Sequence, residues 1–260
     1  MIEFIDTHTH LFEPEFAEDR ETVVQRAVEA GVKILCLPCI TEASLSRMEE
    51  MCERFPGICY PMIGLHPTEL GDDYQVVLDR MYKDLIGNDR YIAVGEVGLD
   101  FYWDDTRKKE QLDAFRQQIE WAAEISLPLA IHSRSAFEDL YNVMEEYCSK
   151  GLTGVFHCFS GDADEAQKLL SFDGFYLGIG GVVTYKKSTL PSVLADVPLE
   201  RVVLETDSPY LAPVPRRGRR NESSYVPFVA QKLAEIYGCS VEEVAAVTTE
   251  NARRLFPKIR

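Results

Sequence analysis

Positive charge is scarce in this sequence. Twenty-seven Lys and Arg stand against 43 Asp and Glu, a formal net charge of −16. So acidic a surface repels polyanions and excludes a nonspecific coat on nucleic acid, yet it leaves room for an enzyme that grips a strand end in one local basic site. No run of about 18 apolar residues is present, so no membrane-spanning helix is expected. The first residues include Glu3 and Asp6 and lack a basic stretch followed by an apolar one, which argues against a secretory signal. Cysteine is sparse, with seven residues at irregular spacing. An odd count in a chain of this size disfavours a disulfide framework and points to a reducing, cytoplasmic setting. Low-complexity segments, linkers and internal repeats are missing, and no motif names a protein partner. Histidine is rarer still: there are five in 260 residues, each following a short apolar run.

A hydrophobic content of 46% is ample for a core, and 260 residues fit one barrel domain spanning 1–260. Short Val/Ile/Leu runs alternate with amphipathic stretches. Strands are expected at 2–5, 32–38, 58–65, 91–97, 127–131, 155–156, 174–179 and 201–204. Helices are expected at 18–30, 41–55, 74–86, 106–125, 135–148, 163–170, 190–194, 225–237 and 240–256. Eight buried strands alternating with helices predict an α/β fold, a (β/α)8 TIM barrel. A doubly wound open sheet is the alternative, but no Gly-x-Gly-x-x-Gly opens a helix after the first strand.

Barrel active sites sit at the C-terminal ends of the strands. His8 and His10 follow strand one and share a face, because alternate side chains of an extended chain point the same way. His66 follows strand three, Glu96 strand four, His132 strand five, His157 strand six and Asp207 strand eight. Imidazoles and carboxylates together suit divalent ions such as Zn²⁺ or Mn²⁺, whereas Mg²⁺ prefers oxygen. Two such ions close together need a bridging group, and Glu96, central in the strand order, is the expected bridge. Asp207 is expected both to hold an ion and to accept the proton of the attacking water. Arg134, two residues past His132, offers a bidentate grip on phosphate. The loop after strand eight carries Arg216, Arg217, Arg219 and Arg220 around Gly218, then Asn221, a local basic patch where barrels commonly bind phosphate. Tyr102 and Trp103 offer rings to a base or sugar, or pack the barrel top. Cys36-Leu37-Pro38-Cys39 spells a C-x-x-C, but Cys36 lies inside a strand and no second pair exists, so core thiols are expected.

Six stretches resemble the TatD family of metal-dependent hydrolases: Phe4-Ile5-Asp6-Thr7-His8-Thr9-His10-Leu11, Gly64-Leu65-His66-Pro67, Gly95-Glu96-Val97-Gly98-Leu99-Asp100, Pro128-Leu129-Ala130-Ile131-His132-Ser133-Arg134, Phe156-His157-Cys158-Phe159-Ser160-Gly161 and Glu205-Thr206-Asp207-Ser208-Pro209-Tyr210-Leu211. The resemblance covers essentially the full length. It implies a TIM barrel of the amidohydrolase type, with His8, His10, Glu96, His132, His157 and Asp207 as ligands of two divalent ions (Mg²⁺, Mn²⁺ or Zn²⁺). It further implies that His66 faces the substrate, and that the enzyme is a deoxyribonuclease acting on single-stranded DNA or 3′ ends. The expected activity is therefore a 3′–5′ exonuclease; hydrolysis of a small-molecule lactone, amide or phosphate ester is the alternative on the same fold. Two departures stand out. Phe12 replaces the family's usual acid or amide after the H-x-H-L. No lysine stands where many amidohydrolases bridge their metals, and Glu96 takes that place.

Overall fold

The computed structural model describes residues 2–259; Met1 and Arg260 lie outside the described residues. Eight strands form one sheet in chain order: β1 Phe4–Asp6, β2 Val32–Pro38, β3 Cys59–Ile63, β4 Ala93–Asp100, β5 Leu129–Arg134, β6 Gly154–Phe156, β7 Phe175–Ile179 and β8 Val202–Leu204. Every neighbouring pair is parallel. The helices are α1 Arg20–Glu29, α2 Glu42–Arg54, α3 Tyr74–Ile86, α4 Lys108–Ile125, α5 Phe137–Glu146, α6 Ala163–Leu170, α7 Leu190–Leu194, α8 Val226–Tyr237 and α9 Val241–Leu255. The expected (β/α)8 barrel is what the chain forms.

Period-two alternation divides the core. In β2, Ile34 and Cys36 join Ile5, Met62, Ala130, Val155 and Val203 in one apolar cluster, which Leu255 and Phe256 at the end of α9 also enter. Leu35 and Leu37 point the other way, into the larger cluster shared with the surrounding helices. Cys36 and Cys39 are both fully buried. Burial pushes the Cys39 thiol up to about 12, so these are core thiols without nucleophilic character.

The ring closes just beyond β1 and β8. The Thr7 amide donates to Leu204 O at 2.9 Å, Asp207 N to His8 O at 2.9 Å, and His10 N to Ser208 O at 2.8 Å. The segments that seal the barrel are thus the segments that carry His8, His10 and Asp207.

Two strands run well past their expected ends. β4 continues from 97 to Asp100 and β5 from 131 to Arg134, pairing from Val97↔Ile131 to Asp100↔Arg134. Gly98 reads as a breaker in the sequence. Here it sits at φ +135°, where a Cβ would lie 2.0 Å from His132 O, so only glycine lets the strands stay paired. Gln111 of α4 clamps the new end: its Oε1 accepts from Asp100 N at 2.8 Å and its Nε2 donates to Asp100 O at 3.1 Å. One extra residue between Val94 and Val97 makes a bulge that contains Glu96. Glu96 and His132 are therefore interior strand residues, not strand-end residues.

Candidate metal centre

All five histidines converge on one carboxylate. Glu96 is 3% exposed. Its Oε2 lies 3.1 Å from His8 Nε2 and 3.5 Å from His10 Nε2. Its Oε1 lies 2.9 Å from His132 Nδ1, 2.9 Å from His157 Nε2 and 3.5 Å from His66 Nε2. Asp207 reaches in from the barrel seam, with Oδ1 3.3 Å from His10 Nε2. The His8 and His157 rings stack at 3.7 Å between centroids.

Three overlapping sets of donor atoms lie within 4.8 Å of one another: His8, Glu96 and His157; His8, His10 and Asp207; and His66, Glu96 and His132. The first two share His8, and Glu96 offers one oxygen to each side. These donors are positioned for divalent ions in a two-metal site. The residues fit such ions chemically, being carboxylate oxygens and imidazole nitrogens that ligate once their protons leave. The Nδ1 atoms of His8 and His10 are buried without a hydrogen-bond partner, so their Nε2 atoms are the ones turned to the shared centre.

The charges balance accordingly. Burial opposes ionisation of Glu96, but the imidazoles of His157, His8 and His66 and the His132 hydrogen bond outweigh it and hold the carboxyl well below its ordinary value. Burial likewise pulls His157 down, yet Glu96 and Glu205 raise it well above the usual imidazole range. His132 is raised by Asp100 and Glu96 against the same burial penalty, and His10 by Asp207 and Glu96. His8 and His66 go the other way, lowered chiefly by burial. Without ions, protons on part of the histidines supply the positive charge that the carboxylates need.

His66 is held differently from the rest. Its Nδ1 accepts from Thr68 N at 3.2 Å, with the Thr68 hydroxyl at 2.7 Å. A neutral ring accepting there carries its proton on Nε2, the atom that faces the cleft, so His66 presents a donor.

A cleft of about 470 Å³ opens above the centre, lined by His66, Trp103, Arg134, Asp207, Tyr210 and Leu211 among others. The Arg134 guanidinium stacks over Tyr102 at 4.0 Å and faces Trp103 at 5.3 Å. Tyr102 and Trp103 are 59% and 69% exposed. Tyr102 does not line the cleft itself; it supports the arginine that does. The loop after β8 departs further from expectation. Arg216 stands over Tyr225 and Phe228, Arg217 over Tyr185, and neither lines the cleft. Arg220 is spoken for, bound to Asp19 at 2.6 Å. Asn221, expected to touch substrate, is fully buried. Its Nδ2 donates to Thr206 O at 2.8 Å and Tyr210 O at 2.7 Å, bracing the turn that bears Asp207. Phe12 is also fully buried and packs edge-on against His10 at 5.8 Å, a prop rather than a cleft wall.

Two buried acids were not singled out in the sequence. Asp100 Oδ2 lies 3.0 Å from His132 Nε2, and Glu205 Oε1 lies 3.4 Å from His157 Nδ1. A usable signal existed: each stands an even number of residues from a predicted ligand, Asp100 from Glu96 and Glu205 from Asp207.

A closed parallel barrel with a His, Glu and Asp centre for divalent ions defines a metal-dependent hydrolase. The comparisons narrow that class. Residues 5–257 match the family described as "TatD related DNase", and the chain belongs to that TatD family. It is 39% identical over 252 residues to the uncharacterized metal-dependent hydrolase YabD of Bacillus subtilis, covering 96% of this chain and 98% of that protein. It is 32% identical to the 3′-5′ ssDNA/RNA exonuclease TatD of Erwinia tasmaniensis, over 96% of this chain and 98% of that one. Among solved structures, the TatD homolog YjjV of Escherichia coli K12 superposes with a TM-score of 0.91 at 30% identity, covering 98% of each chain.

Proposed function

We propose that this protein is a phosphodiesterase that trims single-stranded DNA from its 3′ end. The observation that carries the reading is the convergence of all five histidines on Glu96 within 3.5 Å, beside a cleft that holds Arg134. The Erwinia relative's stated activity supports the substrate and the polarity.

In this reading His8, His10, Glu96, His132, His157 and Asp207 would hold two divalent ions. When bound, such ions polarise a phosphate and acidify water. The chain's own groups do the rest. Asp207 accepts the proton of the attacking water from its place beside His10. His66 donates from Nε2 to a phosphate oxygen. Arg134, held flat by Tyr102, grips that phosphate or its neighbour, and Trp103 offers a face to a base. Arg216 and Arg217 steer the strand from outside the cleft. Asn221 keeps the Asp207 turn in place. Residues 1–260 act as one domain, in a cytoplasmic setting.

The test is hydrolysis of a 5′-labelled single-stranded oligomer by stripped enzyme given Mg²⁺, Mn²⁺ or Zn²⁺, beside Asp207→Asn. A ladder shortening from the 3′ end, with kcat about 10²–10⁴-fold lower in the variant, is the expected result. An enzyme that binds two ions and cleaves no DNA with any of them overturns the reading in favour of a small ester or amide substrate.

A further inference from the structure

Two of the converging histidines have an acid on their far side, and the two acids act on opposite ring nitrogens. His132 turns Nδ1 to Glu96 at 2.9 Å and Nε2 to Asp100 at 3.0 Å. His157 turns Nε2 to Glu96 at 2.9 Å and Nδ1 to Glu205 at 3.4 Å. The Nδ1 atoms of His8 and His10 have no such neighbour within hydrogen-bond reach among the described residues, and His66 uses Thr68 instead.

We propose that Asp100 and Glu205 are positioning residues of the metal centre, each holding the far nitrogen of one histidine so that the near nitrogen presents a lone pair beside Glu96. This rests on the ligand set proposed above.

Both acids are built in rather than incidental. Asp100 Oδ1 accepts from Tyr102 N at 3.0 Å and Trp103 N at 2.9 Å, which leaves Oδ2 for His132. Gln111 pins the Asp100 backbone on both its polar groups. A relay thus runs from α4 through Asp100 and His132 to Glu96. Glu205 is fully buried. Its Oε1 accepts from Cys158 N at 2.5 Å, next to the His157 it faces. Its Oε2 fills the space where a Cβ on Gly178 would stand, at 2.2 Å. The strand thus gives up a side chain at 178 to seat an otherwise costly buried carboxylate. His157 Nδ1 has no hydrogen-bond partner, so the 3.4 Å contact with Glu205 is the one open to it. A carboxylate behind a ligating imidazole fixes the ring's orientation and tautomer and makes the near nitrogen more basic. It requires the proton on Nε2 of His132 but on Nδ1 of His157.

The test measures zinc affinity by chelator competition in stripped wild type, Asp100→Asn and Glu205→Gln, with the urea midpoint of each stripped protein as a check of fold. Each amide keeps the shape of the acid it replaces. Zinc binding about 10–100-fold weaker at an unchanged midpoint is expected. Affinity equal to wild type overturns the inference alone; a wild type that takes up no zinc overturns the ligand set with it. If a variant fails to fold, the zinc-loaded wild type decides through nitrogen-resolved imidazole spectra. A proton on Nε2 of His132 and on Nδ1 of His157 is expected, and the opposite assignment on either ring removes the role of its acid.

Discussion

At the scale of single residues, protons and metal ions compete for the same atoms. Glu96 and Asp207 are depressed, the latter because the His10 hydrogen bond and the His157 charge outweigh burial. His10, His132 and His157 are raised by those same carboxylates together with Asp100 and Glu205. Histidines raised in this way hold their protons to higher pH than a free imidazole, and an ion must displace those protons to bind. The sign follows: metal affinity climbs as pH rises above the ordinary imidazole value of about 6.5, and each ion bound releases protons. Adding Zn²⁺ or Mn²⁺ to the stripped protein in weak buffer is expected to acidify it. Uptake of ions without proton release would contradict the charge balance described for the centre.

At the scale of elements, the close pairing of β4 with β5 at Gly98 and His132 is the feature that holds the centre's strands together. Gly98→Ala forces a Cβ to within 2.0 Å of His132 O at a positive φ. A loss of more than about 2 kcal/mol in urea unfolding is expected, together with weakened metal binding. Retention of full stability would show that the strand pairing does not need glycine there. The sequence marked eight strands in the right places, because buried parallel strands read as short apolar runs. It did not show how far β4 and β5 extend. Their extra pairing depends on Gly98 and on Gln111 of α4, a tertiary clamp that no local pattern around Asp100 announces. Asn221 misled for a related reason: a polar residue in an arginine-rich loop reads as exposed until the backbone carbonyls around it are seen. A second elemental joint ties α1 to the segment after the basic loop. Arg26 donates to both oxygens of Glu222, at 2.9 and 2.5 Å. Burial would raise the Glu222 carboxyl, but Arg26 and the Ser224 hydroxyl outweigh it and hold it below its ordinary value of 4.5. Stabilisation from a depressed acid is complete above that ordinary value and is lost as pH falls through the folded one. Arg26→Ala is expected to cost about 1–3 kcal/mol at pH 7. The gap from wild type should narrow as pH falls below 4.5 and on through the depressed folded value, where Glu222 takes up its proton. A gap independent of pH would mean the cost is one of packing alone.

At the scale of the whole molecule, the proposed function asks a chain of net charge −16 to accept a polyanion. Few cations stand ready for it. Arg134 is in the cleft, and Arg216 and Arg217 lie outside it on aromatic rings, while Arg220 is neutralised by Asp19. Three phosphate contacts on a single strand give a slope of about −2 when log affinity is plotted against log salt. Removing Arg216 and Arg217 together should flatten it to about −1. A slope far steeper than −2 would place a basic surface where none is now assigned. Among the described residues no helix is long and apolar enough to cross a membrane. The seam of the barrel carries a last consequence. Thr9 and Ser208, 199 residues apart, meet through their hydroxyls at 2.6 Å, and Asp207 N bonds His8 O beside them. A chain still emerging from the ribosome, with seven strands made, has its His8 and His10 but neither Asp207 nor a sealed ring. On the proposed ligand set, the centre therefore stays incomplete until β8 and the segment that carries Asp207 have been made.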